Sequence, residues 1–123
     1  MTEIFIESGK QDITVQVTSQ SLHAVGFEIE VIAEDGNTVT ERFTGDTKTK
    51  NPFTRKLSKQ PSAYAKCFIG GTFTATSPDG TDSDYSILFE ITQQQTAAEP
   101  AIELTGTTVN GEDSCTGTFH INE

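Results

Sequence analysis

The residues best suited to metal chemistry lie in a short polar stretch that reads Asp-Gly-Thr-Asp-Ser-Asp-Tyr from Asp79 to Tyr85. Three carboxylates, those of Asp79, Asp82 and Asp84, fall close together among small polar side chains. Carboxylate oxygens at such close spacing are the ligands that a hard cation such as Ca²⁺ prefers. The spacing therefore predicts a calcium site at these three residues. The alternative is a turn whose acids only keep a hairpin soluble.

The same turn resembles the calcium-binding loop of the two-calcium bacterial lectins that bind fucose and mannose. Their loop also reads DGTD-x-DY, within a small β-sandwich that coordinates sugar hydroxyls through its metals. The resemblance implies that Asp82 and Asp84 are metal ligands. It does not extend to a complete two-metal site, because Pro78 stands where the family has an acid. Ser86 and Ile87 likewise stand where the family supplies further Asn and Asp ligands.

The sequence carries none of the common catalytic motifs. It has no GxSxG nucleophile elbow, no Gly-rich phosphate loop and no HExxH zinc motif. His23 and His120 lie at opposite ends of the chain, and we predict both to be ordinary surface histidines. We therefore predict that the protein is not an enzyme and has no cofactor other than a possible calcium ion.

Charge is distributed unevenly along the chain. The net charge of −10 disfavours binding to nucleic acid or to bulk anionic lipid. From Thr47 to Pro78 there are six bases and no acid, so the rest of the chain carries a net charge of −16. The six bases are Lys48, Lys50, Arg55, Lys56, Lys59 and Lys66.

Two interpretations of this basic segment stay open. It is either a solvated edge strand guarded by lysines or a contact patch for an acidic partner or a phosphate headgroup. In the second interpretation the ligand-binding residues are Lys48, Lys50, Arg55, Lys56 and Lys59.

No apolar run approaches the length needed to span a bilayer, so the sequence predicts that the protein is not transmembrane. The first ten residues have neither the basic region nor the apolar region of a signal peptide. The prediction for localisation stays open between the cytosol and a processed secreted form.

The main structural signal is the alternation of apolar and polar residues that is typical of β-strands. It is clearest at residues 13–17, 25–33, 65–75, 85–91 and 119–121. No stretch longer than a turn combines a period of 3.6 residues with helix caps. The sequence predicts an all-β fold over residues 1–123, a single-domain antiparallel β-sandwich of about seven to nine strands. A barrel is the alternative.

Several local expectations follow from the same alternation. Gly70-Gly71 is expected to mark a bulge or bend in a long strand. Lys48–Pro61 is expected to be a long connection or a protected edge, and Gln93–Pro100 a polar connector. Cys67 and Cys115 share the parity of apolar neighbours and are predicted to be buried, as free thiols or, alternatively, as a disulfide.

Over most of its length the chain also resembles the aegerolysins. The matching features are a Ser8-Gly9 turn between the first strands, Gly71-Thr72-Phe73, Pro78-Asp79-Gly80 and the closing strand Gly117–Ile121. That family consists of small acidic β-sandwich proteins that bind membrane lipids and often act with a larger pore-forming partner. Only the architecture is implied, because the Trp residues and the Cys-Pro-Trp-Gly segment of the family are missing here.

We therefore predict a non-enzymatic binding module that recognises a surface ligand through loops at one end of the sandwich. The ligand would be a membrane lipid headgroup or a carbohydrate. The alternative is a structural or assembly protein that self-associates or contacts protein partners through strand edges and the basic segment. A third interpretation is a hydrolase whose catalytic groups are carboxylates on the surface.

Overall fold

The computed structural model describes residues 1–7, 9, 11–94 and 96–122. Within these residues the chain forms ten strands and one short 3-10 helix, Pro61–Tyr64, and no α-helix. The strands are β1 (Thr2–Phe5), β2 (Ile13–Ser19), β3 (Ala24–Ile32), β4 (Val39–Asp46), β5 (Phe53–Lys56), β6 (Phe68–Thr76), β7 (Asp84–Gln93), β8 (Thr96–Ala97), β9 (Ile102–Thr107) and β10 (Glu112–Asn122). The all-β prediction is confirmed. The count exceeds the predicted seven to nine because three strands are very short, β1 and β5 with four residues each and β8 with two.

The strands divide between two five-stranded sheets, so the barrel alternative is wrong. The first sheet has the order β1-β10-β6-β3-β4. The second begins β5-β2-β7, and both β8 and β9 pair along the far side of β7. β1 pairs with β10 in parallel, so the prediction of purely antiparallel pairing is wrong at this one place. A parallel pair needs a long connection, and here nearly the whole chain lies between the two strands.

The apolar residues of both sheets form one buried cluster. Alternation places them inward on their strands, as in the strictly alternating burial of β2. Phe rings link the two sheets. The centroid of the Phe89 ring, on β7 of the second sheet, lies 5.2 Å from that of Phe73 on β6 and 4.8 Å from that of Phe119 on β10, both in the first sheet. The core is therefore centred on β6, β7 and β10.

The Gly70-Gly71 pair does not mark a bulge. The register of β6 runs through both glycines without a shift against β3 and against β10. Gly71 is needed for space instead, since a Cβ there would lie 2.5 Å from the Phe73 Cζ. The bulge in this sheet lies between Val31 and Ile32, where β3 pairs with β4.

The basic segment contains β5, which is the edge strand next to β2. Lys48–Pro61 therefore holds both a connection and an edge strand, whereas protection of that edge by its lysines stays a prediction. Part of Gln93–Pro100 is a strand instead, because Thr96–Ala97 pairs with the end of β7. The described residues include no helix long and apolar enough to cross a membrane.

The two cysteines have different surroundings and neither forms a disulfide. Cys67 is buried, as predicted, whereas Cys115 is only half-buried. Burial raises the pKa of both thiols. Cys115 has the predicted inward parity on β10, but among the described residues no further strand pairs with β10 at that point, so the site is not fully covered.

Candidate functional site

The acidic turn predicted to bind calcium joins β6 to β7. The Asp79 Oδ1 accepts hydrogen bonds from the Thr81 hydroxyl at 2.6 Å, the Thr81 N–H at 3.0 Å and the Ser77 hydroxyl at 2.8 Å. These bonds, the one from the Thr81 hydroxyl foremost, lower the pKa of Asp79 to about 2. The carboxylate therefore organises its own turn, as an Asx side chain commonly does.

The other two acids of the turn bond to different strands. The Asp82 Oδ1 accepts the N–H of Gly111 at 3.0 Å, and the Asp84 Oδ1 accepts the Thr107 hydroxyl at 2.7 Å. Among the described residues, no group of three His, Cys, Asp or Glu side chains is arranged to hold a metal ion. Calcium binding by Asp79, Asp82 and Asp84 stays a prediction, which melting curves in millimolar Ca²⁺ and in excess chelator test.

The lowered pKa of Asp79 predicts a specific acid sensitivity. A group whose pKa is depressed by folding contributes stability above its unfolded pKa, and this contribution is lost as the pH falls through the folded pKa. Between about pH 4 and about pH 2, the wild type should therefore lose more stability than Asp79→Asn. Urea unfolding at a series of pH values measures this, with Thr81→Val expected to fall between the two. Equal acid sensitivity of the three proteins would contradict the assignment.

The predicted ligand-binding bases have different surroundings. Lys48 and Lys50 are exposed in the connection between β4 and β5. The Arg55 guanidinium lies over the Phe43 ring, 4.6 Å from its centroid. The Lys56 Nζ pairs with the Asp12 Oδ2 at 2.9 Å, and the Lys59 N–H donates to the Tyr64 hydroxyl. Arg55 and Lys56 are the two of these five bases that lie on β5, and ligand binding by the five stays a prediction.

His23 is buried, so its prediction as a surface histidine is wrong. Its side chain bridges two loops, with Nδ1 3.0 Å from the Ser21 Oγ and Nε2 2.9 Å from the Ser83 Oγ. Parity could not place it because it precedes its strand. His120 is half-buried, with Nδ1 2.7 Å from the Glu3 Oε2. Hydrogen bonding within the fold therefore accounts for both rings.

A second surface of interest was not predicted, and it begins at β9. This strand pairs with β7 along one side, and no other strand in the described residues pairs with it. The Thr108 N–H donates to the Ser83 carbonyl at 3.0 Å, in register with the β7–β9 ladder. In an antiparallel pair, successive residues of a strand direct their N–H and C=O groups alternately toward the partner strand and away from it. The main-chain groups of Glu103, Thr105 and Thr107 therefore point away from β7.

The first half of β10 is open on the same side of the molecule. β1 covers only Phe119–Asn122, although β10 begins at Glu112. The Ser77 N–H donates to the Gly111 carbonyl at 2.8 Å, so by the same alternation the main-chain groups of Ser114 and Thr116 point away from β6. We call Glu103, Thr105, Thr107, Ser114 and Thr116 the β9–β10 edge.

The two halves of the β9–β10 edge are held together by a partly covered apolar strip. Ile102 and Leu104 of β9 and Cys115 of β10 are half-buried and pack against the core. A Cβ on Gly117 would lie 3.1 Å from the Ile102 Cγ2, so the two strands approach closely. The β9–β10 edge therefore combines unpaired main-chain groups with accessible apolar surface.

A partly buried polar pair supports this edge from inside. The Tyr85 hydroxyl donates to the Asp113 Oδ2 at 2.7 Å. Burial first, and the Asp113 carboxylate second, raise the pKa of Tyr85 far above its ordinary value. A Cβ on Gly106 would lie 2.7 Å from the Tyr85 hydroxyl, so the glycine makes room for the pair. The contact ties β7 in one sheet to β10 in the other.

Comparison with protein-family models, with curated proteins and with solved structures gives no significant match to this chain. The resemblances to two-calcium lectins and to aegerolysins therefore stay predictions, and the case for a function depends on the surface itself.

Proposed function

We propose that this protein is a non-enzymatic interaction module in which the two sheets pack as a β-sandwich and the β9–β10 edge binds extended polypeptide. Of the three functions predicted from the sequence, this is the one in which strand edges contact protein partners. The observation that carries it is the pair of open edges on one side, with a half-buried apolar strip between them.

The chemistry of this surface fits strand addition. An extended peptide that adds to a sheet edge gains affinity from main-chain hydrogen bonds and specificity from pockets for alternate side chains. Glu103, Thr105 and Thr107 supply outward main-chain groups, while Ile102 and Leu104 supply the apolar surface. Natural edges are commonly guarded by lysine, and β9 carries none. The edge on the opposite side of the second sheet is β5, and it carries Lys56.

A single pair of substitutions tests this function. Proline at position 105 removes an N–H that points outward, so Thr105→Pro should leave the sheet intact, as proline does on natural edge strands. Thr105→Val keeps the N–H and the strand propensity, and so serves as the matched control. A display library of random extended peptides should yield sequences that bind both the wild type and Thr105→Val. The same peptides should bind Thr105→Pro at least about tenfold more weakly, because one main-chain hydrogen bond and the fit of the added strand are lost.

Two results would contradict the proposal. One is a library that yields no binder to the folded wild type. The other is a set of binders that Thr105→Pro retains in full, since these would occupy some other surface.

A second candidate is carbohydrate binding, which remains from the surface-ligand prediction. A shallow groove on the outer face of the first sheet lies over Gly26, where a Cβ would meet no atom within 4 Å. Asp46, Lys48, Thr74 and Thr76 line it with the hydroxyl and charged groups that bind sugar hydroxyls. A glycan array tests this candidate, with liposomes as the comparison for a lipid headgroup.

A further inference from the structure

We propose that the polypeptide bound by β9 is strand β5 of a second copy of this chain, so that copies join head to tail through the second sheet. The inference rests on the function proposed above and names the partner. It joins two edges that lie on opposite sides of one sheet, β5 at one end of the order and β9 beyond β7 at the other.

The main-chain groups of β5 are suitably directed for such a contact. The Leu57 N–H donates to the Ile13 carbonyl of β2 at 2.8 Å, continuing the β2–β5 register. By alternation, the main-chain groups of Thr54 and Lys56 point away from β2. β5 therefore presents two outward-facing residues, and β9 presents Glu103, Thr105 and Thr107.

One antiparallel register matches these groups and their side chains together. If Thr54 of one copy lies opposite Thr105 of the next, Lys56 lies opposite Glu103, and both are hydrogen-bonded pairs. The register also places Pro52, which has no N–H, opposite Thr107 at the end of the contact. Thr–Thr pairs and oppositely charged pairs are favourable across antiparallel strands.

Charge distinguishes this contact from a symmetric one. Copies with a net charge of −10 repel each other, so association must bring opposite charges together. β5 carries Arg55 and Lys56, whereas β9 carries Glu103, and β10 begins with Glu112 and Asp113. Pairing β9 with β9 of another copy would bring these acids together, whereas β5 brings Lys56 to them.

Lys56 is free to make the exchange. Its side chain is 68% exposed, and its present partner, Asp12, is 38% exposed. Such surface ion pairs contribute little stability, so exchanging Asp12 for Glu103 of a neighbour costs little. Because each added copy leaves one β5 and one β9 free, the contact repeats and builds a chain of copies.

Charge reversal with sedimentation velocity tests the contact. Wild-type protein should form oligomers as its concentration rises, whereas Lys56→Glu and Glu103→Lys should each weaken association at least about tenfold, because like charges then face each other. An equimolar mixture of the two variants should associate again, since every contact in it can pair unlike charges. Lys66→Glu, which has the same net charge as Lys56→Glu but replaces an exposed lysine beside Glu34 outside both strands, is the matched control and should associate nearly as the wild type does.

Three results would overturn the inference. The wild type could stay monomeric at high concentration, or Lys56→Glu could associate as strongly as the wild type. The third is a mixture of Lys56→Glu and Glu103→Lys that does not recover association. A monomeric wild type whose β9–β10 edge still binds display peptides would overturn only this inference and leave the proposed function standing.

Discussion

Replacement of Phe89 by alanine should destabilise the protein by about 3–5 kcal/mol, the cost of emptying a large buried aromatic site. Phe89 is fully buried, and its ring contacts those of Phe73 and Phe119 in an edge-on manner. Since it projects from β7 onto strands of the other sheet, the cavity would lie between the two sheets. Stability of small domains is commonly about 5–15 kcal/mol, so this loss would leave a marginally stable protein.

Urea unfolding followed by circular dichroism measures the effect as a lower transition midpoint. Phe68→Ala is the matched control, because Phe68 has the same side chain but is half-buried, stacked on the His120 ring. Its truncation should cost clearly less. Equal losses for Phe89→Ala and Phe68→Ala would show that the Phe89 ring is not at the centre of a core shared by the two sheets.

The second large effect is expected at Gly71. A methyl group there would lie 2.5 Å from the Phe73 Cζ and 3.0 Å from the Ile29 Cδ1. The Phe73 ring cannot move aside freely because it is fully buried between the Phe27 and Phe89 rings. Overpacking of this kind typically costs about 1–3 kcal/mol, so Gly71→Ala should lower the unfolding free energy by that amount.

Gly26 offers a matched control in the neighbouring strand of the same sheet. A Cβ at Gly26 would meet no atom within 4 Å, and its backbone does not require glycine. Gly26→Ala should therefore keep or raise stability, by up to roughly 1 kcal/mol, because alanine restricts the unfolded chain. The same measurement on both variants decides the point, and a Gly71→Ala protein as stable as Gly26→Ala would contradict the packing described here.

The sequence predicted the parts of this fold that depend on alternation. Val15, Phe73 and Ile121 are buried as their parity requires, and the basic segment contains an edge strand. Alternation reports which face of a strand is buried, but not which strands are neighbours. The parallel β1–β10 pair could not be predicted for that reason, since pairing of the first strand with the last is decided by the whole chain.

The candidate site was harder to predict for the same reason. Whether a main-chain N–H is paired depends on a neighbouring strand, so Thr105 and Ser114 carry no local signal of an open edge. Ile102 and Leu104 alternate with Glu103, but two apolar residues are too few to separate an edge strand from a loop. The acidic turn drew attention because its charges are adjacent in sequence, whereas its carboxylates bond within the turn and to Gly111 and Thr107.

Residue-resolved amide hydrogen exchange tests most directly the central claim that the β9–β10 edge binds extended polypeptide. Exchange is compared for the wild type alone and with a saturating display-selected peptide. At protein concentrations too low for copies to associate, the outward N–H groups of Glu103, Thr105 and Thr107 should exchange rapidly without peptide and become protected on binding, because each then donates to the added strand. Thr44 on the β4 edge should be unaffected. Protection confined to the loops at Ser21 and Asp79, with Thr105 still exchanging rapidly, would contradict the account.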